Sequence, residues 1–275
     1  MNPLKFFVDE SKCVKCGACI RDCASEILEF DQEREFPHLI AGMEERCNKC
    51  QHCLAICPTG ALEIFGRDPE ESIPPDSNPD SEEILSLIAN RRSFRSYRHE
   101  NVDKVTLDKL KDMLKFVPTG VNAHSLYFAF IDDVKVMDEF RDYTIKAINR
   151  MLKEDPVPPF VARMARYREQ LERGKDVIFR GAAHMLVVAA DENSPTPEID
   201  PAIALSYFEL YAQSLGIGTV WCGLAQGALL TFPDLLSRLK LPKGYKPGCC
   251  MLFGNTDLRY CRAIQPERVQ ISSVK

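Results

Sequence analysis

Beyond residue 80 the apolar positions recur at helical spacing and then at strand spacing. The segment SEEILSLIANRR places Ile84, Leu85, Leu87 and Ile88 on one stripe, with Ser81 as N-cap and acids in the first turn. VDKVTLDKLKDMLKFV repeats the pattern with Val105, Leu107, Leu110, Met113, Leu114 and Val117, and Pro118 with Gly120 ends it. Short apolar runs rich in aromatic or β-branched residues predict strands at 127–131, 185–190 and 249–254. Helical patterns fill about 134–153, 159–175, 201–215 and 233–239, the last opened by Pro233. Helices and strands intermix with few hairpin signals, so the expectation is an α+β domain over 81–275, a central mixed sheet flanked by helices. The first 66 residues read differently. Four short apolar runs, at 5–8, 27–30, 38–40 and 61–65, predict small strands beside two cysteine runs. Residues 67–80, RDPEESIPPDSNPD, hold four prolines and five acids and read as a spacer.

Composition narrows the class. With 275 residues, 45% hydrophobic and 27% charged, the chain matches a globular protein able to bury a sizeable core. No apolar run approaches the roughly 20 residues of a spanning helix, and MNPLKFFVDESKC lacks a basic-then-apolar leader pattern. The expectation is a cytoplasmic protein with no membrane partner. Residues 1–66 carry 7 Lys+Arg against 11 Asp+Glu, residues 67–80 carry 1 against 5, and residues 81–275 carry 27 against 24. Acidity concentrated at the N-terminal end, in a chain of pI about 5.7, argues against nucleic acid as a partner.

Eight of the twelve cysteines lie in CVKCGACIRDCA and CNKCQHCLAICP: Cys13, Cys16, Cys19, Cys23 and Cys47, Cys50, Cys53, Cys57. Each run reads C-x2-C-x2-C-x3-C, and the flanks recur at the same shift of 34: Phe6 with Ile40, Lys12 with Arg46, Leu28 with Leu62, Glu29 with Glu63. Zinc sites pair two separated C-x2-4-C elements, whereas here three thiolates follow at three-residue steps. That spacing wraps a 4Fe-4S cluster, with the fourth cysteine of each run ligating the other cluster. Cys13, Cys16, Cys19 and Cys57 are therefore assigned to one cluster, and Cys47, Cys50, Cys53 and Cys23 to the second. Pro58 follows the second run, and Ala24 stands in its place after the first. Residues 1–66 thus resemble a bacterial-type two-cluster ferredoxin.

Arg91, Arg92, Ser93 and Arg95 follow the first helix in RRSFRSYR. Arginines there complement a helix C-terminus, and they equally form a forked clamp for phosphate. Several segments in order resemble the FMN-dependent nitroreductase family: RRSFRSY its flavin-binding arginine-serine motif, PTGVNAHSLYFAFI its Pro-Ser-x-x-Asn segment, FRGAAHMLVVAA the entry to its central sheet, GIGTVWCGL its glycine-tryptophan motif, and LRYCRAIQPERVQ its basic tail. The resemblance covers about 84–270. It implies that Arg91, Arg92, Ser93 and Arg95 contact FMN, with Arg262 and Arg268 adding charge at the phosphate; the tail arginine does not align uniquely, and Arg259 is the alternative contact. It implies that Pro118, Thr119, Gly120 and Asn122 come from the second subunit of a homodimer with FMN at the interface, and His124 is counted with them as cofactor-binding. Gly223 is expected to offer its N–H near flavin N5, with Cys222 beside it. His124, Ser125 and Leu126 depart from the family's Gln-Pro-aromatic.

Between 150 and 180, Arg163, Arg166, Arg168, Arg173, Lys175 and Arg180 face Glu169, Glu172 and Asp176, where the family varies a lid over the substrate. A charged surface helix with pairs such as Glu169 with Arg173 is the favoured reading. His38, His52, His99 and His184 lack partnered spacing, Cys249 and Cys250 read as small buried hydrophobes, and packing is favoured for Cys222 and Cys261. Trp221 is a core or flavin-adjacent anchor. No GxGxxG or P-loop marks a separate dinucleotide domain.

Clusters that pass one electron, joined to a flavin that stores two, imply an enzyme. The expected function is an FMN oxidoreductase fed by reduced ferredoxin or another low-potential donor through two 4Fe-4S clusters, reducing a nitroaromatic, quinone or activated alkene. Two alternatives stay open. One is an NAD(P)H-oxidising flavoenzyme with the clusters as exit path, the other an electron carrier or flavin-binding sensor without a dedicated substrate.

Overall fold

A computed structural model describes residues 4–33, 35–73 and 79–274. The chain divides into two compact units, Met1–Asn78 and Pro79–Lys275.

The first unit is built from β1 (Phe6–Val8), α1 (Ala18–Arg21), β2 (Leu28–Phe30), β3 (Pro37–Leu39), α2 (His52–Ala55) and β4 (Leu62–Ile64). β1 pairs antiparallel with β4, and β2 with β3. The four strands fall where short apolar runs predict them, three trimmed by a residue or two and β3 shifted back by one. Ile27, Leu28, Leu54, Leu62 and Ile64 are buried with Cys19 in a small apolar cluster. The expected spacer is structured over its first part. Asp68 caps a 3-10 turn at Pro69–Glu71 by accepting the Glu70 N–H, and Lys12 reaches Glu70 at 3.3 Å. The prolines and polar residues at 74–78, read as the body of the spacer, lie outside the described residues.

The second unit contains α3 (Ser81–Asn90), α4 (Lys104–Asp112), β5 (Leu126–Ile131), α5 (Val134–Met151), α6 (Pro159–Met164), α7 (Arg168–Glu172), β6 (His184–Asp191), α8 (Asp200–Ser214), β7 (Gly218–Trp221), α9 (Gly223–Thr231), α10 (Pro233–Ser237) and β8 (Tyr245–Gly254). The strands order β5-β6-β8-β7 with antiparallel ladders, and a parallel bridge joins Ser93 to Thr219 at the β7 edge. β6 is buried along nearly all its length, and its side chains alternate between two layers. Leu186 and Val188 join Leu110, Leu205 and Phe208 on one face; Met185 and Val187 join Met137, Phe140, Ile148 and Phe179 on the other. β8 runs four residues further back than its apolar run predicts. It accommodates Pro247 at a register shift opposite Val188 and Ala189, where a missing N–H costs the ladder least.

Several boundaries differ from expectation. Asp80, not Ser81, caps α3, its Oδ1 accepting the Glu82 N–H at 2.7 Å. The helix expected through Val117 ends at Asp112 and tightens into a 3-10 turn at Met113–Phe116. The helix expected over 159–175 is three short pieces. Gly174, at φ +71°, stops the last, and the Asp176 carboxylate then takes the N–H groups of Ile178, Phe179 and Gly181. α9 and β7 were not expected as elements. The largest difference concerns α3, whose predicted apolar stripe is uncovered within the single chain: Ile84, Leu85 and Ile88 are all exposed.

Candidate functional site

The duplication at a shift of 34 extends to backbone conformation in the first unit. Lys15 and Lys49 both adopt φ 55°, Gly17 and Gln51 precede α1 and α2 at φ 67° and 61°, and Glu26 and Gly60 stand at φ 52° and 59°. Left-handed residues at these points fold each run into a tight loop. The eight thiols consequently sort into two quartets around separate voids. Cys13, Cys16, Cys19 and Cys57 line one, and Cys23, Cys47, Cys50 and Cys53 line the other. This is the grouping that the spacing predicts, each fourth cysteine crossing to the other site.

None of the twelve cysteines is in a disulfide. Among the described residues no three His, Cys, Asp or Glu side chains close on a single-ion position. N–H donors already point at two sulfurs: Lys49 donates to Cys47 Sγ at 3.4 Å and Ala61 to Cys57 Sγ at 3.2 Å. Burial raises the Cys57 thiol, yet the Thr59 and Ala61 N–H groups outweigh it and leave the value below that of an ordinary thiol. Burial pushes Cys53 up to about 12, with Cys50 and Cys47 adding to it, and burial also raises Cys19. Thiols that resist ionisation alone suit ligands whose charge is compensated by bound iron.

In the second unit the arginine segment leaves α3 and lies along β7. Phe94 N–H donates to Thr219 O at 2.8 Å, and Gly218 admits the Phe94 ring so closely that a Cβ there would sit 3.0 Å from it. The tail returns to the same place: Tyr260 packs edge-on against Phe94 at 5.3 Å and lies 5.9 Å from the Arg92 guanidinium. Arg92 Nη1 donates to Ala89 O and Arg91 O, whereas its Nη2 is buried without a hydrogen-bond partner. A buried donor left open is costly and fits an acceptor oxygen such as that of a phosphate. Arg95 is exposed, its Nη1 3.3 Å from Ser93 O.

β7 runs directly into the turn that opens α9. Cys222 is buried; its thiol accepts the Ala225 N–H at 3.4 Å, donates to Ile178 O at 3.2 Å, and is raised by burial. The thiol is thus a helix cap, which agrees with the expected packing role. Gly223 is exposed, and nothing lies within 4 Å of where its Cβ would be. The space beside its backbone is open to a flat ring.

The 118–124 segment is held elsewhere. Gly120 N–H donates to both oxygens of buried Asp200 at 3.1 and 3.3 Å, and Thr196 Oγ1 donates to Asp200 at 2.8 Å. Thr119 Oγ1 accepts the His124 N–H at 3.0 Å, and Val121, Asn122 and His124 all take positive φ. Thr119 and His124 line an open groove of about 660 Å³ with Lys111, Leu114, Phe128 and Phe130 along β5. None of the residues lining it belongs to the arginine segment. Asp200 opens α8, while Glu209 and Gln213, nine and thirteen residues on, hold the arginine segment. At 1.5 Å per residue the two anchor points lie about 13 to 20 Å apart along the helix. Within one chain, therefore, the structure does not bring Pro118, Thr119, Gly120, Asn122 and His124 to Arg91, Arg92, Ser93 and Arg95. Arg262 and Arg268 lie in the exposed tail and form no hydrogen bond or ion pair among the described residues.

The fold supplies partners that linear spacing does not reveal. His38 meets Glu29 at 3.3 Å, His52 meets Asp22 at 3.1 Å and His99 meets Asp138 at 2.9 Å, all on side chains that stay at the surface. Buried His184 accepts the Val102 N–H at 2.9 Å. Glu169 and Arg173 pair at 3.9 Å on an exposed face, as expected. Asp200, Glu209 and Gln213 were missed altogether. Their signal was polar residues standing among the buried apolar positions of α8, Ala204, Leu205, Phe208 and Ala212.

Known proteins sort along the same division. The Nitroreductase family matches residues 88–255, and the 4Fe-4S dicluster domain matches residues 12–61. An FMN reductase (NAD(P)H) of Bacillus subtilis is 27% identical over 183 residues, 63% of this chain and 66% of its own length. The methylamine utilization ferredoxin-type protein MauM of Methylobacillus flagellatus is 37% identical over 59 residues, 19% of this chain and 25% of its own. The chain thus spans less than two thirds of either relative. Among solved structures, a nitroreductase with bound FMN from Desulfitobacterium hafniense superposes with a TM-score of 0.56 at 25% identity, over 70% of this chain and 98% of that one.

Proposed function

The chain belongs to the nitroreductase family, and from that premise we propose that it is an FMN-dependent oxidoreductase fed through its own iron-sulfur unit. A low-potential donor such as reduced ferredoxin would supply electrons by way of two 4Fe-4S clusters, and a small nitroaromatic, quinone or activated alkene would accept them. The observation that carries this reading is the sorting of eight cysteines into two quartets around separate voids, in the same chain as a nitroreductase-family unit. When bound, FMN supplies two-electron chemistry and the clusters one-electron chemistry.

The residues divide the binding work. Cys13, Cys16, Cys19 and Cys57 hold one cluster, and Cys23, Cys47, Cys50 and Cys53 the other. Arg92, whose buried Nη2 lacks an acceptor, takes the FMN phosphate together with Arg91, Ser93 and Arg95, and the tail adds Arg262 and Arg268. Gly223 presents its N–H to the ring system from the start of α9, where a fixed dipole stabilises negative charge without adding a competing base. The segment with Pro118, Thr119, Gly120, Asn122 and His124, anchored well away along α8, serves the site of a second copy. The exposed Ile84, Leu85 and Ile88 of α3 and Tyr207 and Tyr211 of α8 supply an apolar face for that homodimer. Light scattering tests this: a monomer with full FMN occupancy contradicts a shared site.

Among the described residues no helix is long and apolar enough to cross a membrane. Thiols kept reduced for cluster assembly favour a cytoplasmic location. Assays with NADH, NADPH and reduced ferredoxin, on the chain and on a variant whose eight ligand cysteines are alanine, test the relay. Turnover by ferredoxin that vanishes in the variant supports it. Rapid NADH turnover in the variant favours direct NAD(P)H oxidation, the reading suggested by the Bacillus relative. Bound FMN with no acceptor reduced above the free-flavin rate favours a carrier or sensor.

A further inference from the structure

α8 presents two polar side chains one turn apart, and each bridges the arginine segment to β7. Gln213 takes the Arg92 N–H at 3.0 Å, and its own amide donates to Arg92 O at 2.8 Å and Thr219 Oγ1 at 2.7 Å. Glu209 forms the second rung. One oxygen accepts from Arg91 Nη1 at 3.2 Å, and the other accepts from the Trp221 indole N–H at 3.1 Å. Glu209 is only 5% exposed. A carboxylate this deep is costly unless both oxygens are served, and here both are. The two groups that serve it belong to different segments: Arg91 to the arginine motif, Trp221 to the strand that ends beside Gly223. The Arg91 side chain stays 38% exposed, so the donors Glu209 leaves free remain accessible.

We propose that Glu209 is a positioning residue for FMN, fixing the Arg91 guanidinium and the Trp221 indole in one frame so that the phosphate-binding and ring-binding segments keep a constant separation. The inference rests on the reading of the arginine segment as an FMN site. Two effects oppose each other. The carboxylate offsets part of the Arg91 charge and so weakens its pull on an anion; it also removes the freedom of a long side chain that binding would otherwise have to freeze. Because Glu209 engages one nitrogen and leaves the rest of the fork available, the positioning effect outweighs the lost attraction.

Trp221 is the single tryptophan of the chain, which makes its emission a direct reporter of the Glu209 contact. The test titrates FMN into flavin-free full-length protein, following flavin quenching for affinity and Trp221 emission for the contact. Glu209→Gln, close in shape, is expected to raise the FMN dissociation constant about tenfold, the scale of one lost charge-assisted hydrogen bond. Trp221 emission should change in the same variant before any FMN is added. Trp221→Phe removes the other partner without touching the charge; it should weaken FMN binding severalfold and reduce the effect of adding Glu209→Gln. Unchanged or tighter FMN binding in Glu209→Gln, with only a lowered melting temperature, would overturn the proposal and leave Glu209 a fold-stabilising ion pair. Should Glu209→Gln not fold, Trp221→Phe with native FMN affinity overturns it alone. If the unaltered protein binds no FMN, the flavin reading itself fails and the inference falls with it, a result distinct from normal binding by wild type and variants alike.

Discussion

Among the described residues six make up the buried apolar cluster of the cysteine-rich unit, and one of them, Cys19, belongs to one of the two cysteine quartets. In the sheet unit β6 alone sends Leu186 and Val188 into one packed layer and Met185 and Val187 into another. The first unit repeats a short loop twice and keeps left-handed residues at matching places; the second uses strand alternation and long helices to bury large side chains on two faces. A unit with so small an apolar core relies on what its cysteines bind, whereas the sheet unit can fold on hydrophobic burial and then receive a cofactor.

The largest effect that could break this contrast is loss of iron. In chelator-treated protein, calorimetry should show the unfolding transition of the first unit disappear while that of the second persists. An iron-free first unit that keeps its hydrogen-exchange protection would show that its apolar cluster suffices. The converse change strikes the other unit. Phe253 is fully buried and meets Phe208 at 5.4 Å and Phe130 at 6.1 Å. Phe253→Ala is expected to cost about 3–5 kcal/mol in the second transition, measured by denaturant midpoint, with cluster absorbance unchanged.

A smaller effect should appear with pH. Burial lowers the His184 value, and the opposing pull of Asp132 and of the Ile131 backbone does not restore it. The unfolded chain, near 6.5, then binds the proton more readily than the fold. Stability of the sheet unit is full above about pH 6.5 and declines as pH falls toward the lowered folded value. His184→Gln, which retains an acceptor for the Val102 N–H, should flatten that decline in denaturant midpoints taken between pH 8 and pH 5.5. The smallest effect concerns the imperfect repeat. Gly17 and Gln51 share a left-handed conformation, but a Cβ on Gly17 would lie 3.1 Å from the Phe30 ring and 3.3 Å from Arg21. Gln51→Gly should stabilise the first unit by no more than about 1 kcal/mol, and Gly17→Gln should destabilise it by more. Equal and opposite effects would mean that the two halves are interchangeable.

The grouping of the cysteines was legible because they lie on short loops whose spacing determines their geometry. The quartets follow the C-x2-C-x2-C-x3-C register, down to the crossing of Cys23 and Cys57. The arginine segment and the β7 edge were legible only as segments. RRSFRSY and GIGTVWCGL could be recognised, but not that Phe94 and Thr219 would join them at one sheet edge. Asp200, Glu209 and Gln213 went unread since their partners lie 80, 118 and 121 residues away. Periodicity marks such positions only as breaks in an apolar pattern. The stripe of α3 shows the opposite case. Its amphipathic pattern predicted the helix correctly, yet a pattern cannot say whether its apolar face is covered by the same chain or by another.

Electron delivery from the clusters to the flavin, in the same or the partner subunit, is the step on which the proposed relay depends. Anaerobic mixing of the iron- and FMN-loaded protein with reduced ferredoxin, monitored by flavin absorbance, tests this most directly. The account predicts rapid flavin bleaching in the intact protein and none on that timescale when the eight ligand cysteines are alanine and FMN is retained. Bleaching at the same rate in both would contradict it.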